Sequence, residues 1–216
     1  MQVQDPVAAQ PLLNLLNVRY LLAHPRIGLQ EGLDFRITDR SDFAVLENLD
    51  VWPRAFFSDK VAVNSSTEEF IQQLMASGKQ PLVSLTPDEI KNQSCLQALE
   101  NTKKATILAA SNYRLLPNST EFDIHAPSAG VVCLTEGQAK DFTVRANNEP
   151  KKVLTVNRAF KGVFLDKPGD YHIEFIYRPR YWLLACAWFW ISAAGIVALA
   201  TMSAFRARLE RKEIKA

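Results

Sequence analysis

The chain has 216 residues and a formal net charge of +2 at pH 7, so no charge excess favours nucleic acid or an acidic partner. Its length suffices for one large hydrophobic core or two small ones. The cysteine spacing matches neither a zinc site nor a disulfide framework. Cys186 lies in an apolar run, and the sequence leaves open whether Cys95 and Cys133 pair.

Residues 1–104 predict a mixed α/β part. Residues 7–16 predict a short helix that leads into a strand-like segment, and residues 43–49 and 55–63 predict strands. The first residues include an acidic side chain and prolines and lack a basic region. We therefore expect no signal peptide at the N-terminus.

Two helix starts follow in this part. Ser66 and Glu69 match a capping box, and Gly78 suits the end of the helix. Pro87 suits the first position of a second helix, predicted to run to about Leu99. The first of these helices is expected to bury one apolar face: Phe70, Ile71, Leu74 and Met75.

Residues 105–180 predict an antiparallel β-sandwich. Short segments such as EFDIHA, GVVCLTE, DFTVRA and YHIEFIY alternate apolar with polar residues, which is typical of strands with one buried face. Their spacing favours a sandwich. The predicted fold class is α+β, mainly β: a jelly-roll-like antiparallel sandwich with two or three N-terminal helices and one C-terminal transmembrane helix.

Residues 181–205 contain no charged side chain. As a helix they would extend roughly 37 Å, which exceeds the hydrocarbon core of about 30 Å. This run predicts a membrane span with the lipid bilayer as partner. The small-residue patch at 192–195 could receive another transmembrane helix or simply face lipid.

The basic residues around this span predict its orientation. The tail 206–216 carries more Lys and Arg than the stretch just before the span, so we expect a cytoplasmic tail and an extracytoplasmic domain. Translocating that domain would then require upstream helices that this chain lacks, unless the orientation is wrong. The predicted membrane-anchoring residues are Arg178, Arg180, Tyr181, Trp182, Arg206 and Arg208.

Four pieces of the chain resemble a known family. They are LLNLLNVRYLLA (12–23), VLENLDVWPRAFF (45–57), VNRAFKGVFLDKPGDYHIEFIYRP (156–179) and the closing membrane helix. Together they are similar to the C-terminal part of the YfhO-like bacterial membrane proteins, over nearly the whole chain. The most specific part is N-x-A-F-x-G-V, then a Pro-Gly turn, then a strand that ends in Y-R-P.

This resemblance implies a large polytopic parent in the bacterial cytoplasmic membrane. The parent would be similar to C-type glycosyltransferases, which take sugars from lipid-linked donors, and would glycosylate cell-envelope polymers. In the family, many membrane helices precede this region and place the β-domain outside. One departure is that Asp141 and Phe142 stand where the family has Gly-Trp. The family's catalytic acids belong to early loops that nothing here matches.

The chain shows no pattern of catalytic, metal or cofactor residues. Its carboxylates are scattered, and His24, His125 and His172 have no Cys, Asp or Glu at ligand spacing along the sequence. The best candidate contact patch is Trp52, Arg54 and Phe56, because an exposed aromatic beside Arg suits a sugar or a polyprenyl phosphate; a lipid-linked sugar or an envelope polymer is the corresponding partner. The alternative is that these aromatic residues belong to the core.

The preferred hypothesis is an extracytoplasmic accessory domain that is not an enzyme on its own. Two others stay open: a stand-alone tail-anchored protein with a cytoplasmic adaptor domain, and a chain that is itself a transferase. The absent signal peptide favours the tail-anchored alternative and the basic tail opposes it. Impermeant thiol labelling of Cys95 and Cys133 would discriminate between the two topologies.

Overall fold

The computed structural model describes residues 8–24, 35–40, 42–91, 94–102 and 105–213. The chain divides into two compact units, Met1–Tyr177 and Arg178–Ala216. The helices are α1 (Gln10–Leu15), α2 (Thr67–Ser77), α3 (Pro87–Lys91), α4 (Ser94–Glu100) and α5 (Trp182–Glu213). The strands are β1 (Tyr20–Ala23), β2 (Phe35–Arg40), β3 (Ala44–Asn48), β4 (Ala55–Ser58), β5 (Ala62–Val63), β6 (Ser84–Leu85), β7 (Ile107–Ala109), β8 (Ser111–Leu115), β9 (Ser119–Ala126), β10 (Gly130–Gly137), β11 (Phe142–Ala146), β12 (Glu149–Lys151), β13 (Val153–Val156), β14 (Phe160–Leu165) and β15 (Gly169–Tyr177).

Two five-stranded antiparallel sheets form the body of the first unit. The inner sheet has the order β13-β14-β10-β4-β7, and the outer sheet has the order β12-β11-β15-β9-β8. Side chains from both sheets form one core, including Phe57 and Val132 from the inner sheet and Phe122 and Phe175 from the outer sheet. A small sheet, β1-β3-β2, and the parallel pair β5-β6 complete the unit.

The inner sheet is buried on both of its faces. Its second face carries Phe56, Cys133 and Leu154, which share a core with residues of the helices such as Phe70 and Leu96. Strands buried on both faces read as continuous apolar runs, whereas half-buried strands alternate. Accordingly β10 and β14 are buried along most of their lengths, while β9 alternates strictly over most of its length.

The mainly β, antiparallel sandwich predicted from the sequence is confirmed, and it is compatible with a jelly roll. Strand β4 precedes the boundary expected at residue 104, yet it lies between β10 and β7 in the inner sheet. The segments before and after that boundary thus share one sheet.

Two strand-like runs of the sequence, ATILAASNYRLL (105–116) and the predicted strand 55–63, are each divided in the structure. The first becomes β7 in the inner sheet and β8 in the outer sheet, because the chain crosses between sheets at Ala110, whose N–H donates to the Ala55 carbonyl. The run from residue 55 is interrupted after β4 where the Ser58 hydroxyl donates to the Lys60 carbonyl and closes a turn.

The helix predictions hold for ends better than for the buried face. The Ser66 hydroxyl accepts from the Glu69 N–H at 3.1 Å, and Gly78 ends α2 at φ 62°. The predicted apolar face is only half right, because Ile71 and Met75 are 50% and 52% exposed. The helix predicted from Pro87 to about Leu99 has the expected start and an end within one residue of the expected one. Its described residues form α3 (Pro87–Lys91) and α4 (Ser94–Glu100), and residues 92–93 between them lie outside the described part of the chain.

The N-x-A-F-x-G-V motif is explained by folding requirements. Asn157 and Arg158 have φ of 50° and 67° in the turn between β13 and β14, as a type I′ turn requires. The Asn157 amide also accepts from the Ser84 N–H and donates to the Leu82 carbonyl. A Cβ on Gly162 would lie 2.3 Å from Val156 Cγ2.

Substituting Gly162→Ala is expected to lower the free energy of unfolding by about 1–3 kcal/mol, because the added methyl group overpacks the inner sheet. Urea unfolding of the full chain in detergent micelles, followed by circular dichroism, measures the change. Gly137→Ala is the matched control, since nothing lies within 4 Å of its added Cβ. Equal stability of the two variants would contradict this packing.

Helix α5 has the length and composition of a membrane-spanning helix. Its segment Trp182–Ala204 has 23 residues and a mean hydropathy of 2.1, and none of its residues is buried. The Trp182 N–H donates to the Pro179 carbonyl at the helix start. The side chains of Arg206 and Arg208 lie outside the described residues, so their anchoring role stays a prediction.

Candidate functional site

The aromatic residues of the predicted contact patch are core residues. Trp52 is 1% exposed and Phe56 is 0% exposed, and their rings meet edge to face with centroids 6.2 Å apart. The expectation that both contact a ligand at the surface is therefore corrected. They lie in the apolar layer between the inner sheet and the helices, where burying large rings is most favourable.

Arg54 is the member of that patch that reaches solvent. Its side chain is about half exposed and donates to Glu136 Oε1 at 3.1 Å. The guanidinium also lies 5.3 Å from the centroid of the Tyr113 ring. Arg54 thus belongs to a group of polar side chains, here called the Glu136 cluster: Arg54, Tyr113, Thr120, Glu136 and Lys161.

The Glu136 cluster joins the two sheets. Glu136 lies where the pairing of β10 with β14 shifts register, and such an irregularity re-aims a side chain. Its carboxylate accepts from Lys161 Nζ at 3.0 Å, from Thr120 Oγ1 at 3.1 Å and from the Tyr113 hydroxyl. The Lys161 ammonium also lies 3.7 Å from the ring centroid of Phe142, a favourable cation–π contact.

The electrostatics of the cluster favour the ionised carboxylate. Burial alone would raise the pKa of Glu136, but hydrogen bonds from Tyr113 and Lys161 and the charge on Lys161 outweigh burial and lower it. Burial, followed by the neighbouring Glu136, raises the pKa of Tyr113 to about 12. The Glu136 carboxylate pairs with both Arg54 and Lys161, so we interpret the cluster as a structural connection between the sheets.

A second polar site lies on the exposed face of the outer sheet. A depression of about 370 Å³, here called the His–Asp pocket, is lined by Ser111, Asp123, Ile124, His125, Asp170, Tyr171 and His172. Strand β9 places His125 directly opposite Asp170 of β15, and Asp123 opposite His172. Two His–Asp pairs thus lie side by side with the order of residues reversed.

Each histidine is held through Nδ1. His125 Nδ1 lies 2.6 Å from Asp170 Oδ1, and His172 Nδ1 lies 2.7 Å from Asp123 Oδ1. An ionised carboxylate only accepts, so Nδ1 carries the proton, and in the neutral ring Nε2 is left as an acceptor. The amide of Asn112 donates to Asp123 Oδ2, and this bond, with the one from His172, lowers the pKa of Asp123.

This pocket was not predicted from the sequence. The paired residues are 45 and 49 positions apart along the chain, so spacing within a segment cannot reveal them. One signal was present, because β9 contains Asp-x-His at 123–125 and β15 contains the same pattern at 170–172. Antiparallel pairing of two such strands places each histidine opposite an aspartate.

No protein-family model, no curated protein and no solved structure matches this chain. The resemblance to the YfhO-like family accordingly stays a prediction.

Proposed function

We propose that this chain is a membrane-anchored extracytoplasmic accessory domain of a glycosyltransferase-like, C-type polytopic membrane protein. In this proposal the domain serves the glycosylation of a cell-envelope glycan or polymer and is non-catalytic on its own. The observation that carries the proposal is the junction at Tyr177. The central strand of the outer sheet ends there, and a helix of membrane-spanning composition begins at Trp182.

The short connection at 178–181 supports a domain that acts close to the bilayer. It contains Pro179 between two arginines and no Gly/Ser run, whereas a flexible tether would be Gly/Ser-rich and longer. Basic side chains beside Tyr181 and Trp182 match the composition of the headgroup zone. Lipid-linked sugar donors present their head groups at the same depth.

Three acidic side chains are unsuited to act as a general acid, in keeping with an accessory role. A general acid working near neutral pH needs a raised pKa. Here hydrogen bonds lower the pKa of Glu47, from Arg36 and Arg19, and of Asp123, from Asn112 and His172. Glu136 is likewise held ionised by its neighbours.

Labelling of Cys95 tests which side of the membrane the domain occupies. Cys95 is exposed, whereas Cys133 is fully buried, and both are free thiols. Burial raises the pKa of the Cys133 thiol, which further suppresses its reaction with maleimides. We expect a membrane-impermeant maleimide to label Cys95 in intact source cells, with little further labelling after permeabilisation.

Cys95→Ser is the control for this experiment and is expected to remove the label. Labelling that appears only after the cells are permeabilised would place the domain in the cytoplasm. That result would overturn the proposal in favour of a tail-anchored protein with an adaptor domain.

A further inference from the structure

We propose that the turn between β8 and β9 is a second membrane contact of the domain and that it enters the lipid interface with Leu115 and Leu116. Residues 115–118 are here called the Leu–Leu turn. The contact rests on the membrane-anchored part of the proposed function. It is independent of the glycosylation role and of the side of the membrane that the domain occupies.

Exposed apolar side chains of the sandwich occur at one end of it. Within residues 105–177, all of which the structure describes, the exposed large apolar side chains are Leu115, Leu116 and Tyr177. Leu115 is 66% exposed and Leu116 is 43% exposed. A single exposed leucine is ordinary, but neighbouring ones at one end of a sheet indicate a contact surface.

The pairing of the outer sheet places the Leu–Leu turn at the end of β15 from which the chain continues into α5. Leu115 of β8 pairs with Thr120, the second residue of β9. The N–H of Tyr177, the last residue of β15, donates to the Asn118 carbonyl at 2.8 Å. The turn is therefore level with the last residue of β15.

The short connection to α5 limits how far this end of the sheet can be from the bilayer. Four residues, 178–181, separate Tyr177 from Trp182, the first residue of α5. An extended chain covers at most about 3.3–3.6 Å per residue, so the connection reaches no further than roughly 18 Å. With α5 in a bilayer, the lipid surface is the apolar partner that is always within reach of the Leu–Leu turn.

The backbone of the turn is suited to contact with lipid, where an unpaired N–H or carbonyl is costly. The Leu116 N–H donates to the Ser119 carbonyl at 2.8 Å, and the Asn118 carbonyl accepts from Tyr177. Pro117 has no N–H to satisfy. Little desolvation of the backbone therefore opposes entry of the two leucines into the interface.

Basic side chains lie beside the apolar ones at this end of the sheet. Arg114 precedes the Leu–Leu turn and is exposed. Lys140 is also exposed and lies just before β11, whose first residue, Phe142, pairs with Tyr177. The neighbouring Asp141 offsets part of this charge. Apolar side chains with Lys and Arg around them match an interface of acyl chains and anionic head groups.

Fluorescence of the full chain in lipid vesicles tests the contact. An environment-sensitive probe is attached to Leu116→Cys or to Lys167→Cys, each in a Cys95→Ser, Cys186→Ala background, and Cys133 stays unlabelled because it is fully buried. The vesicles contain phosphatidylcholine, some phosphatidylglycerol and a lipid with a nitroxide close to the head group. Elements in the interface lie about 5–10 Å inside the boundary of head groups and acyl chains, so the nitroxide should quench the probe at 116 at least about threefold more than the probe at 167.

Position 167 is the matched control, because Lys167 is exposed and lies before the other end of β15. The nine residues of that strand extend about 30 Å. A probe on native Cys186, within α5, is the positive control and reports insertion of the helix itself.

A charge placed on the turn provides a second readout. Leu115→Asp should reduce quenching of the probe at 116 at least about twofold, because a carboxylate opposes burial in lipid. Asn148→Asp adds the same charge in the turn after β11, at the other end of that strand, and should leave the quenching unchanged. Circular dichroism checks that every variant folds, as expected for changes at exposed positions.

The outcomes separate the turn contact from the anchor. Strong quenching at 186 with equal, weak quenching at 116 and 167 would overturn the turn contact and leave the anchor standing. No quenching at 186 would overturn both. A blue-shifted but unquenched probe at 116 would show that the turn is covered by protein, such as a second copy of the chain, and would also overturn the contact, as would unchanged quenching in Leu115→Asp.

Discussion

Replacing Glu136 by Gln is expected to lower the free energy of unfolding by about 3 kcal/mol. Lys161 is 2% exposed, and removing its counter-charge leaves an uncompensated ammonium between the two sheets, a loss that usually measures about 3–5 kcal/mol. We expect the lower end of this range, because a Gln amide oxygen still accepts a hydrogen bond from Lys161.

Urea unfolding of the full chain at pH 7 measures this effect, and a double-mutant cycle with Lys161→Met isolates the pair. Once the charged partner is also removed, the double variant should lose less than the sum of the single losses, by about 1–3 kcal/mol. Additive losses would show that Glu136 and Lys161 do not stabilise each other.

Glu136→Gln is also expected to change how the free energy of unfolding depends on pH. The pKa of Glu136 is lowered below its ordinary value of 4.5. As the pH falls, the carboxylate is therefore protonated in the unfolded chain before it is protonated in the folded chain. The contribution of Glu136 is therefore fully present above about pH 4.5 and is lost as the pH falls toward its folded pKa. Glu136→Gln should remove this part of the acid sensitivity.

Trp52→Ala is expected to lower the free energy of unfolding by about 3–5 kcal/mol, the usual loss when a buried Trp is truncated. Trp52 packs edge to face on Phe56 within the core shared by the inner sheet and the helices. Its Nε1 has no hydrogen-bond partner, so the truncation breaks no side-chain hydrogen bond of Trp52. Urea unfolding in micelles, followed by circular dichroism, gives the change.

Phe43→Ala is the matched control, because the Phe43 side chain is more than half exposed. Its truncation should change stability by less than about 1 kcal/mol, since surface substitutions rarely do more. If Trp52→Ala proved equally mild, Trp52 would be a surface residue, and the contact patch predicted from the sequence would regain support.

Local patterns predicted local structure well. The Ser66 to Glu69 signal located the start of α2, and alternation along β9 and β15 identified both strands and their buried residues, such as Ile173. Each feature is decided within a few residues by capping or by the period of the strand. The same holds for α5, which can be identified from its apolar composition without any knowledge of tertiary contacts.

Features that depend on distant partners were out of reach. The insertion of β4 between β10 and β7 pairs it with residues more than seventy positions away in β10 and about fifty positions away in β7. The sequence around Trp52 and Arg54 also could not show which side chain turns inward, since an Arg beside aromatics occurs both in cores and at surfaces. Strand β2 was overlooked because FRITDR is too polar to read as a strand, and it pairs only with β3 among the described strands.

The position of β15 within the outer sheet bears on how the domain would respond to mechanical load. β15 is the central strand, hydrogen-bonded to β9 on one side and β11 on the other, and it is the strand from which the chain continues into α5. Hydrogen bonds in an antiparallel sheet run perpendicular to the strands. A pull along β15 would therefore load both ladders in shear at once, so tension applied through the C-terminal helix would meet its resistance in the most connected strand of the sheet.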